Sequence, residues 1–287
     1  GSEDNLTRIV SFLIHRYAAG PREVLRKIAG EEPPIEYPDV GVYQIEGRQR
    51  IVDSTDDLSA PDQHTGTVGL LLMRSYALAG NTRHYDAVIK ALEARGLKVI
   101  PAFAAGLDAR PAVRRFFMKD DQPVVDAVVS LTGFSLVGGP AYNDTDAAQA
   151  MLAELNVPYL AVQALEFQSI NQWRDSPMGL MPVEATIMVA IPELDGATGP
   201  MVFSGRDRED PKRSFDMSPE VERIDRLADR VHKLVKLRRT AREDRKIGIT
   251  LFNFPPNSGA MGTAAHLSVF ESVLNTLRAL DKAGYQV

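Results

Sequence analysis

The sequence predicts a doubly wound α/β domain of the Rossmann or flavodoxin kind, in which helices cover both faces of a mostly parallel sheet. Short, continuous apolar runs such as Thr67–Met73 and Leu97–Phe103 alternate with amphipathic helical stretches. Continuous apolar runs are typical of strands buried on both faces, and helices are the usual connections between parallel strands. The chain has 287 residues, of which 44% are hydrophobic, so it can bury a sizeable core and has room for about two domains.

Residues 1–64 are predicted to hold N-terminal helices and a connector. An apolar helical face recurs through Ile9, Leu13 and Ile14, and Pro21 opens a second helix. From residue 31 the chain is rich in Pro, Asp and Gly, which is typical of a connector, and it carries one short strand over Val40–Tyr43.

Residues 65–215 are predicted to form the first α/β lobe. We expect its strands over Thr67–Met73, Leu97–Phe103, Val124–Leu131, Val157–Val162, Ala185–Ile191 and Pro200–Phe203. We expect its helices over His84–Arg95, Arg110–Met118, Thr145–Leu155 and Ser169–Arg174.

Residues 216–245 are predicted to form a charged linker helix. Ser218 is a favourable N-cap, and Pro219 suits the first turn. An apolar stripe through Ile224, Leu227 and Val231 gives this helix one buried face. Its basic end suits the negative end of the helix dipole and is interpreted as a solvated surface.

Residues 246–287 repeat the start of the first lobe. Lys246–Phe252 echoes Thr67–Met73, and each strand leads through a Gly-containing loop into a helix. A βα unit without a second strand cannot complete a sheet. We therefore expect the truncated start of a second α/β lobe from a longer chain, or a unit that joins a neighbouring sheet.

Composition excludes several function classes. The net charge of -5 provides no general basic field, so nucleic acid and anionic membrane surfaces are not expected as partners. The absence of cysteine removes disulfides, thiolate catalysis and Cys-ligated metals, and it fits a cytoplasmic location. No apolar run reaches the ~18 residues that a membrane-spanning helix needs.

Two carboxylates that follow the apolar run Ile187–Ile191 form the foremost candidate site. Pro192 halts strand pairing because it has no N–H, and Gly196 allows a sharp turn. Glu193 and Asp195 lie two residues apart, so in an extended chain they point to the same side. Open α/β sheets place their chemistry at such strand ends. A plain polar loop after a strand is the competing interpretation.

The loops after the first and third strands carry further candidates. His84 falls in the first turn of a predicted helix, where the dipole lowers the pKa of an imidazole and favours a neutral base or ligand. Gly138 and Gly139 bring the backbone close to whatever fills a cleft, although their spacing matches no nucleotide-binding motif. Capping and core packing are the alternatives for His84 and Asp144, and for Asp144 capping is favoured.

Acidic and aromatic residues mark three more segments. Glu166 follows the fourth strand and Glu184 precedes the fifth. Asn253 and Phe254 begin an apolar, turn-rich loop that could face a flat aromatic ligand. Trp173, the only tryptophan, is more typical of packing than of a ligand platform.

Five separate motifs follow one another in a specific order. They are Gly69–Arg74, Gly80–Tyr85, Leu131–Pro140, Pro192–Ala197, and Asn253–Pro256 with Gly262–Ala265. From about Asp39 onwards the chain resembles the large porphyrin-binding H subunit of magnesium chelatase, most closely the bacteriochlorophyll type. That protein is several times longer. Gln44 departs from the family pattern, which usually has His-Pro there, and this weakens any role for that loop. The related large subunit of cobaltochelatase is the alternative.

The resemblance implies ATP-driven insertion of Mg²⁺ into protoporphyrin IX, in (bacterio)chlorophyll biosynthesis. It implies that an AAA+ ATPase subunit and its adaptor subunit accompany this chain, which itself carries no P-loop motif. Two pyrrole protons must leave, so a base is needed, and Mg²⁺ prefers oxygen ligands.

Residue roles follow from this chemistry. Glu193 is expected as the base or a transient Mg²⁺ ligand, with Asp195 in support and His84 as a second proton acceptor. The expected substrate-binding residues are Glu166, Glu184, Gly138, Gly139, Asn253 and Phe254. A non-catalytic, two-lobed ligand-binding module is the alternative from another class. On either interpretation, we expect this chain alone not to chelate metal.

Overall fold

A computed structural model of the chain describes residues 2–47, 50–58, 63–207, 216–252, 262 and 268–287. The chain divides into two compact units, Gly1–Val235 and Lys236–Val287. The strands are β1 (Val40–Tyr43), β2 (Ile51–Val52), β3 (Gly66–Met73), β4 (Leu97–Ala104), β5 (Met118–Lys119), β6 (Gln122–Pro123), β7 (Ala127–Ser130), β8 (Gly138–Gly139), β9 (Tyr142–Asn143), β10 (Tyr159–Ala161), β11 (Gln163–Ser169), β12 (Val202–Arg206) and β13 (Met217–Pro219).

Helices lie between most of these strands. The α-helices are α1 (Glu3–Tyr17), α2 (Arg74–Leu78), α3 (Arg83–Glu93), α4 (Arg110–Ala112), α5 (Thr145–Leu155), α6 (Ile170–Asp175), α7 (Pro182–Glu184), α8 (Ile191–Asp195), α9 (Val221–Arg239) and α10 (Val269–Lys282). The 3₁₀-helices are Gly20–Lys27, Thr55–Asp57 and Arg242–Asp244, and π-helical turns span Val113–Phe117 and Ala185–Ala190.

The larger sheet of the described residues has the strand order β10-β7-β3-β4-β1-β2. Its first four strands run parallel, whereas β1 pairs antiparallel to β4, and β2 antiparallel to β1. The chain passes from β3 to β4 on one side and then crosses back to β7 on the other side of β3. This arrangement confirms the predicted mostly parallel α/β fold.

Strand β3 is buried on both faces of the sheet. Val68, Leu70 and Leu72 join the core cluster that includes residues of α3 and α9. Leu71 joins the opposite cluster, which includes Phe117 and residues of α5. Gly69 leaves room for the Phe117 ring, since a Cβ at this glycine would lie 2.7 Å from ring carbons. The near-continuous apolar run of β3 follows from burial on both sides.

A second sheet, β11-β12-β13, differs from the sequence prediction. The strand expected over Pro200–Phe203 is β12, displaced towards the C-terminus, and it pairs in parallel with β11 and antiparallel with β13. The sequence reasoning did not identify β11 or β13. Ser218 and Pro219 belong to β13, so the prediction that they begin the linker helix is wrong, and α9 begins at Val221.

The strand predicted over Ala185–Ile191 is also wrong. These residues lie in one helical run formed by α7, the π-helical turn Ala185–Ala190 and α8. Pro192 lies within this run and has no N–H for the carbonyl of Met188. The Gln163 side-chain amide donates to that carbonyl instead, at 3.0 Å. A buried glutamine from β11 therefore compensates for the proline.

The N-terminal segment is helical as expected, although its second helix, Gly20–Lys27, is 3₁₀ rather than α. Polar contacts hold α1 to the connector, where Asn5 exchanges two hydrogen bonds with the Ile35 backbone at 2.7 and 2.9 Å. Val40–Tyr43 is a strand, as predicted.

In the second unit, the predicted strand over 246–252 is absent, because these described residues form no β-ladder. A strand needs a neighbouring strand, and none of the described strands pairs with these residues. In the part of the chain that the structure describes, no helix has the length and apolarity required to cross a membrane.

Candidate active site

The carboxyl ends of β3, β4 and β7 enclose a narrow cleft with a cavity volume of about 20 Å³. Its walls are mainly apolar and are formed by side chains such as Leu71, Met73, Phe103, Leu107, Phe134 and Leu136. Polar groups are fewer and come from Asp108, Ser130, Thr132 and Ser135. A mainly apolar lining with a few convergent polar groups is typical of small-molecule sites, and the free volume here is about that of one water molecule.

The topology of the sheet explains why a cleft forms there. The connections from β3 and β4 leave on opposite sides of the sheet, so the loops that follow diverge next to β3. Open α/β sheets bind ligands at this kind of switch point, outside the carboxyl ends of the strands. The cleft therefore lies where this fold ordinarily places its chemistry.

Asp108 is the carboxylate that lines the cleft among the described residues. It follows β4, and both of its oxygens accept hydrogen bonds from the Arg110 side chain at 2.7–3.1 Å. These bonds lower the pKa of Asp108 below its usual value. Asp108 is therefore ionised at neutral pH, although its charge is shared with an adjacent guanidinium.

Asp195 lies outside the cleft and hydrogen-bonds to residues that line one of its walls. Its Oδ2 accepts hydrogen bonds from the Ser135 hydroxyl at 2.7 Å and from the Leu136 N–H at 2.9 Å. The side chain is 1% exposed, and burial raises its pKa. Ser135 and Leu136 line the cleft, but Asp195 does not. The geometry therefore gives Asp195 a positioning role.

Glu193 points away from Asp195, contrary to the expectation that both face the same side. Residues two apart on a helix are rotated by roughly 200°, whereas they share a face in a strand. Glu193 is accordingly exposed on α8 and does not line the cleft. The geometric premise of the paired-carboxylate site is wrong, while the catalytic role of Glu193 remains a prediction.

His84 lies in an aromatic cluster next to the cleft. It is fully buried near the start of α3, with ring centroids of Tyr85, Tyr76 and Phe203 at 3.9, 5.5 and 5.9 Å. Neither ring nitrogen has a hydrogen-bond partner in the described structure. Burial lowers the pKa of His84 to about 3. The direction of this shift is the one expected from the sequence, but its cause is desolvation and not the helix dipole.

Glu166 reaches the same cluster through Tyr76. The Tyr76 hydroxyl donates to Glu166 Oε1, and Arg206 pairs with Oε2 at 2.7 Å. The structure therefore brings both Glu166 and His84 into contact with Tyr76. The Tyr85 hydroxyl accepts from the N–H of Met73, a cleft residue, which connects this cluster to the cleft wall.

Glu184 lies apart from both groups and is fully buried. Its Oε2 accepts from the Gln168 side chain at 2.5 Å and from the Met181 N–H at 3.1 Å. The second contact caps the start of α7. A structural role as a helix cap accounts for these contacts.

Gly138 lines the cleft, as expected for a close approach of backbone, whereas Gly139 packs against Leu107 instead. Asn253 and Phe254 lie outside the described residues. No group of three or more His, Asp or Glu side chains in the described ranges is arranged to hold a metal ion.

The sequence reasoning missed Asp108 and Ser135. It considered the loops after the first, third and fourth strands but not the loop after the second, where Asp108 lies. The rule that parallel strands present all their carboxyl ends at one edge identifies that loop. Ser135 carries no local signal, since its partner Asp195 lies 60 positions away.

Comparisons with known proteins give a consistent result. The CobN/Magnesium Chelatase family matches residues 1–287. The chain is 48% identical to the magnesium-chelatase H subunit of Rhodobacter capsulatus over 300 residues, which cover 100% of this chain and 25% of that protein. Its identity to the protein of the same name from Cereibacter sphaeroides is also 48%, over 301 residues and with the same coverage.

A solved structure is similar over the whole chain. The catalytic subunit of cobaltochelatase from Mycobacterium tuberculosis matches with a TM-score of 0.73 and 26% sequence identity, covering 100% of this chain and 22% of the other. The chain spans about a quarter of the length of the curated relatives named above.

Proposed function

Because the chain belongs to the CobN/Magnesium Chelatase family, we propose that it is part of the porphyrin-binding catalytic subunit of a magnesium chelatase. The complete enzyme inserts Mg²⁺ into protoporphyrin IX in the cytoplasm, as a step of (bacterio)chlorophyll biosynthesis. A separate AAA+ subunit and its adaptor hydrolyse the ATP. Identity of 48% to magnesium-chelatase subunits, against 26% to the cobaltochelatase structure, supports magnesium over cobalt.

The observation that carries this proposal is the apolar cleft at the carboxyl edge of the parallel sheet. A porphyrin is a flat, largely apolar macrocycle, and apolar walls such as Leu71, Phe103 and Phe134 suit its faces. Its cavity volume of about 20 Å³ is far smaller than the macrocycle, so we propose that the cleft contacts only part of the ring. The rest would contact other parts of the complete subunit.

The polar groups of the cleft suggest how the reaction is assisted. Ionised Asp108 provides a negative charge that favours the approach of Mg²⁺, which prefers oxygen ligands. Ser130 and Thr132, whose hydroxyl oxygens lie 2.9 Å apart, provide neutral hydrogen-bonding groups. Glu193 remains our proposed base or delivery ligand, with contacts that depend on the complete subunit.

A porphyrin titration tests the proposal on this chain. Absorbance of protoporphyrin IX would be followed as the chain is added, for the unchanged chain and for Ala109→Trp, which fills the cleft from a lining position. We expect binding by the unchanged chain and about tenfold weaker binding by the variant, or about 1.4 kcal/mol. Ala153→Trp, at an exposed position on α5, is the matched control and should bind normally.

Two outcomes contradict the proposal. Equal porphyrin affinities of the two tryptophan variants would show that porphyrin binds outside the cleft. Failure of the folded, unchanged chain to bind porphyrin would favour the alternative of a module for another ligand.

A further inference from the structure

A second groove lies at the opposite edge of the larger sheet, where the strands begin. Thr67 and Lys98 are register partners near the starts of β3 and β4, and both line this groove. Its volume is about 340 Å³. The candidate active site lies at the other ends of the same strands, so the two cavities are separate.

Positive charge dominates the groove. Lys98, Arg115 and Lys119 line it together with His64, and none of the acidic side chains in the described ranges does so. The chain as a whole carries a net charge of -5, so this surface departs from the average. The nearby Asp126 carboxylate accepts the Thr67 N–H, and Asp120 and Asp121 occupy the turn after Lys119, outside the groove lining.

Arg115 is held in place without being neutralised. Its guanidinium donates to the carbonyl oxygens of Val40 and Asp53 at 3.3 and 3.0 Å, and lies 5.0 Å from the centroid of the Phe116 ring. The neighbouring Arg114, by contrast, forms a bidentate ion pair with Glu154, with distances of 2.9 and 3.0 Å between the guanidinium nitrogens and the carboxylate oxygens. Carbonyl groups fix a guanidinium but leave its charge available for an anion.

The groove also offers apolar surface. Phe116 and Met118 form its floor, and Val124 is 42% exposed at its edge. The volume is much larger than a single inorganic ion requires and suits a few residues of an extended peptide. A held arginine with lysines and apolar side chains beside it is an arrangement that recognises acidic peptide segments.

We propose that this groove binds an acidic segment of a partner protein. Carboxylates of the segment pair with Lys98, Arg115 and Lys119, and an apolar side chain of the segment covers Val124. Binding here leaves the carboxyl edge of the sheet free, so a partner could be bound while a small molecule occupies the cleft. The proposal does not depend on the identity of that small molecule.

A labelled peptide tests the proposal on the intact chain. The probe is a fluorescein-labelled peptide of glutamates with a central leucine pair, followed by fluorescence anisotropy, and the control probe replaces glutamate by glutamine. We expect the glutamate peptide to bind and the glutamine peptide not to. Binding should weaken steeply from about 0.1 M to about 1 M salt, as the Debye length falls from about 10 Å to about 3 Å.

Charge reversal locates the binding surface. Lys98→Glu with Lys119→Glu should weaken binding by about tenfold or more, since like charges then face the peptide. Lys90→Glu with Lys233→Glu changes the net charge equally at two exposed helix positions and should have less than about a twofold effect. If the glutamate variant fails to fold by circular dichroism, Lys98→Gln with Lys119→Gln replaces it. Equal weakening by both pairs, or equal binding of the two probes, would overturn the proposal.

Discussion

At the scale of single residues, the buried carboxyl of Asp195 determines the shape of the cleft wall. It provides the acceptor for two donors of the loop, the Ser135 hydroxyl and the Leu136 N–H. Without an acceptor these buried donors would lose their hydrogen bonds, and water would have to enter or the loop would have to move. Asp195 therefore influences the site without lining it.

We expect Asp195→Ala to lower the free energy of unfolding by about 2–4 kcal/mol, because two buried donors lose their partner. Asp195→Asn keeps one acceptor oxygen and should cost less than about 1.5 kcal/mol. Urea denaturation at neutral pH measures both changes, and porphyrin titration should show weaker binding for the alanine variant. If asparagine is as damaging as alanine, the negative charge of Asp195 matters, and our assignment by hydrogen bonding is wrong.

His84 makes stability depend on pH. Its pKa is about 3 in the folded chain, below the value of about 6.5 expected in the unfolded chain. The unfolded chain therefore binds the proton first, so this contribution to stability is complete above about pH 6.5 and is lost as the pH falls towards 3. The slope is about 1.4 kcal/mol per pH unit in that window.

His84→Phe should remove this slope, since phenylalanine keeps an aromatic ring beside Tyr85 and Phe203 but cannot bind a proton. Urea unfolding of the chain and of the variant at about pH 7 and pH 5 measures the difference, which should be about 2 kcal/mol. His64→Phe, at an exposed position, is the control and should behave like the unchanged chain. Equal pH dependence of all three proteins would mean that the pKa of His84 is the same in the folded and unfolded chain.

At the scale of elements, the parallel strands and their helices could be predicted from the sequence. β3, β4 and α5 match their predicted ranges within one residue because burial on two faces, or a 3.6-residue period, leaves a strong pattern. The apolar run after Ala185 was misassigned, since a short run fits a buried strand or a buried helix equally well. The Gln163 side chain donates to the Met188 carbonyl of this helical run, a contact between distant segments that the local pattern does not contain.

The same distinction applies to the candidate site. The motif around Gly138 and the importance of loops at carboxyl strand ends could be inferred from local sequence. The link between Ser135 and Asp195 and the aromatic surroundings of His84 are contacts between distant segments, which local patterns do not specify. One misassigned element also placed Glu193 and Asp195 on the same side, although the helix separates them.

Substitution of two glycines that have positive φ, Gly80 and Gly138, distinguishes the cost of backbone strain from the cost of a steric clash. A Cβ added at Gly138, where φ is +122°, would lie 2.3 Å from the Tyr142 carbonyl oxygen. A Cβ added at Gly80, where φ is +70°, would have no atom within 4 Å. We expect Gly80→Ala to cost about 1 kcal/mol from backbone strain alone. Gly138→Ala should cost about 3 kcal/mol or more, because the β8–β9 hairpin must also move. Thermal unfolding measures both, and equal costs would show that the hairpin adjusts freely.

At the scale of the whole molecule, the larger sheet presents different chemistry at its two ends. The carboxyl edge carries the mainly apolar cleft, and the amino edge carries the basic groove. The chain covers about a quarter of the relatives' length, and on the proposed function an exposed side chain such as Glu193 would meet substrate or another segment of the longer subunit. A test of its role therefore belongs to the complete enzyme.

We expect Glu193→Gln in the complete subunit, assayed with its partner subunits, to lower the rate of Mg-porphyrin formation by about a hundredfold or more. Glutamine keeps the shape of glutamate but can neither accept a proton nor neutralise the cation. Because Glu193 is exposed and its side chain bonds to no described residue, folding should change by less than about 0.5 kcal/mol, and porphyrin affinity should be retained. Glu36→Gln, an exposed substitution in the connector, is the control and should keep full activity. Near-normal turnover of the Glu193 variant would contradict the catalytic role of Glu193 and show that it is only a solvated residue of α8. Asp108 would then be the carboxylate to test next.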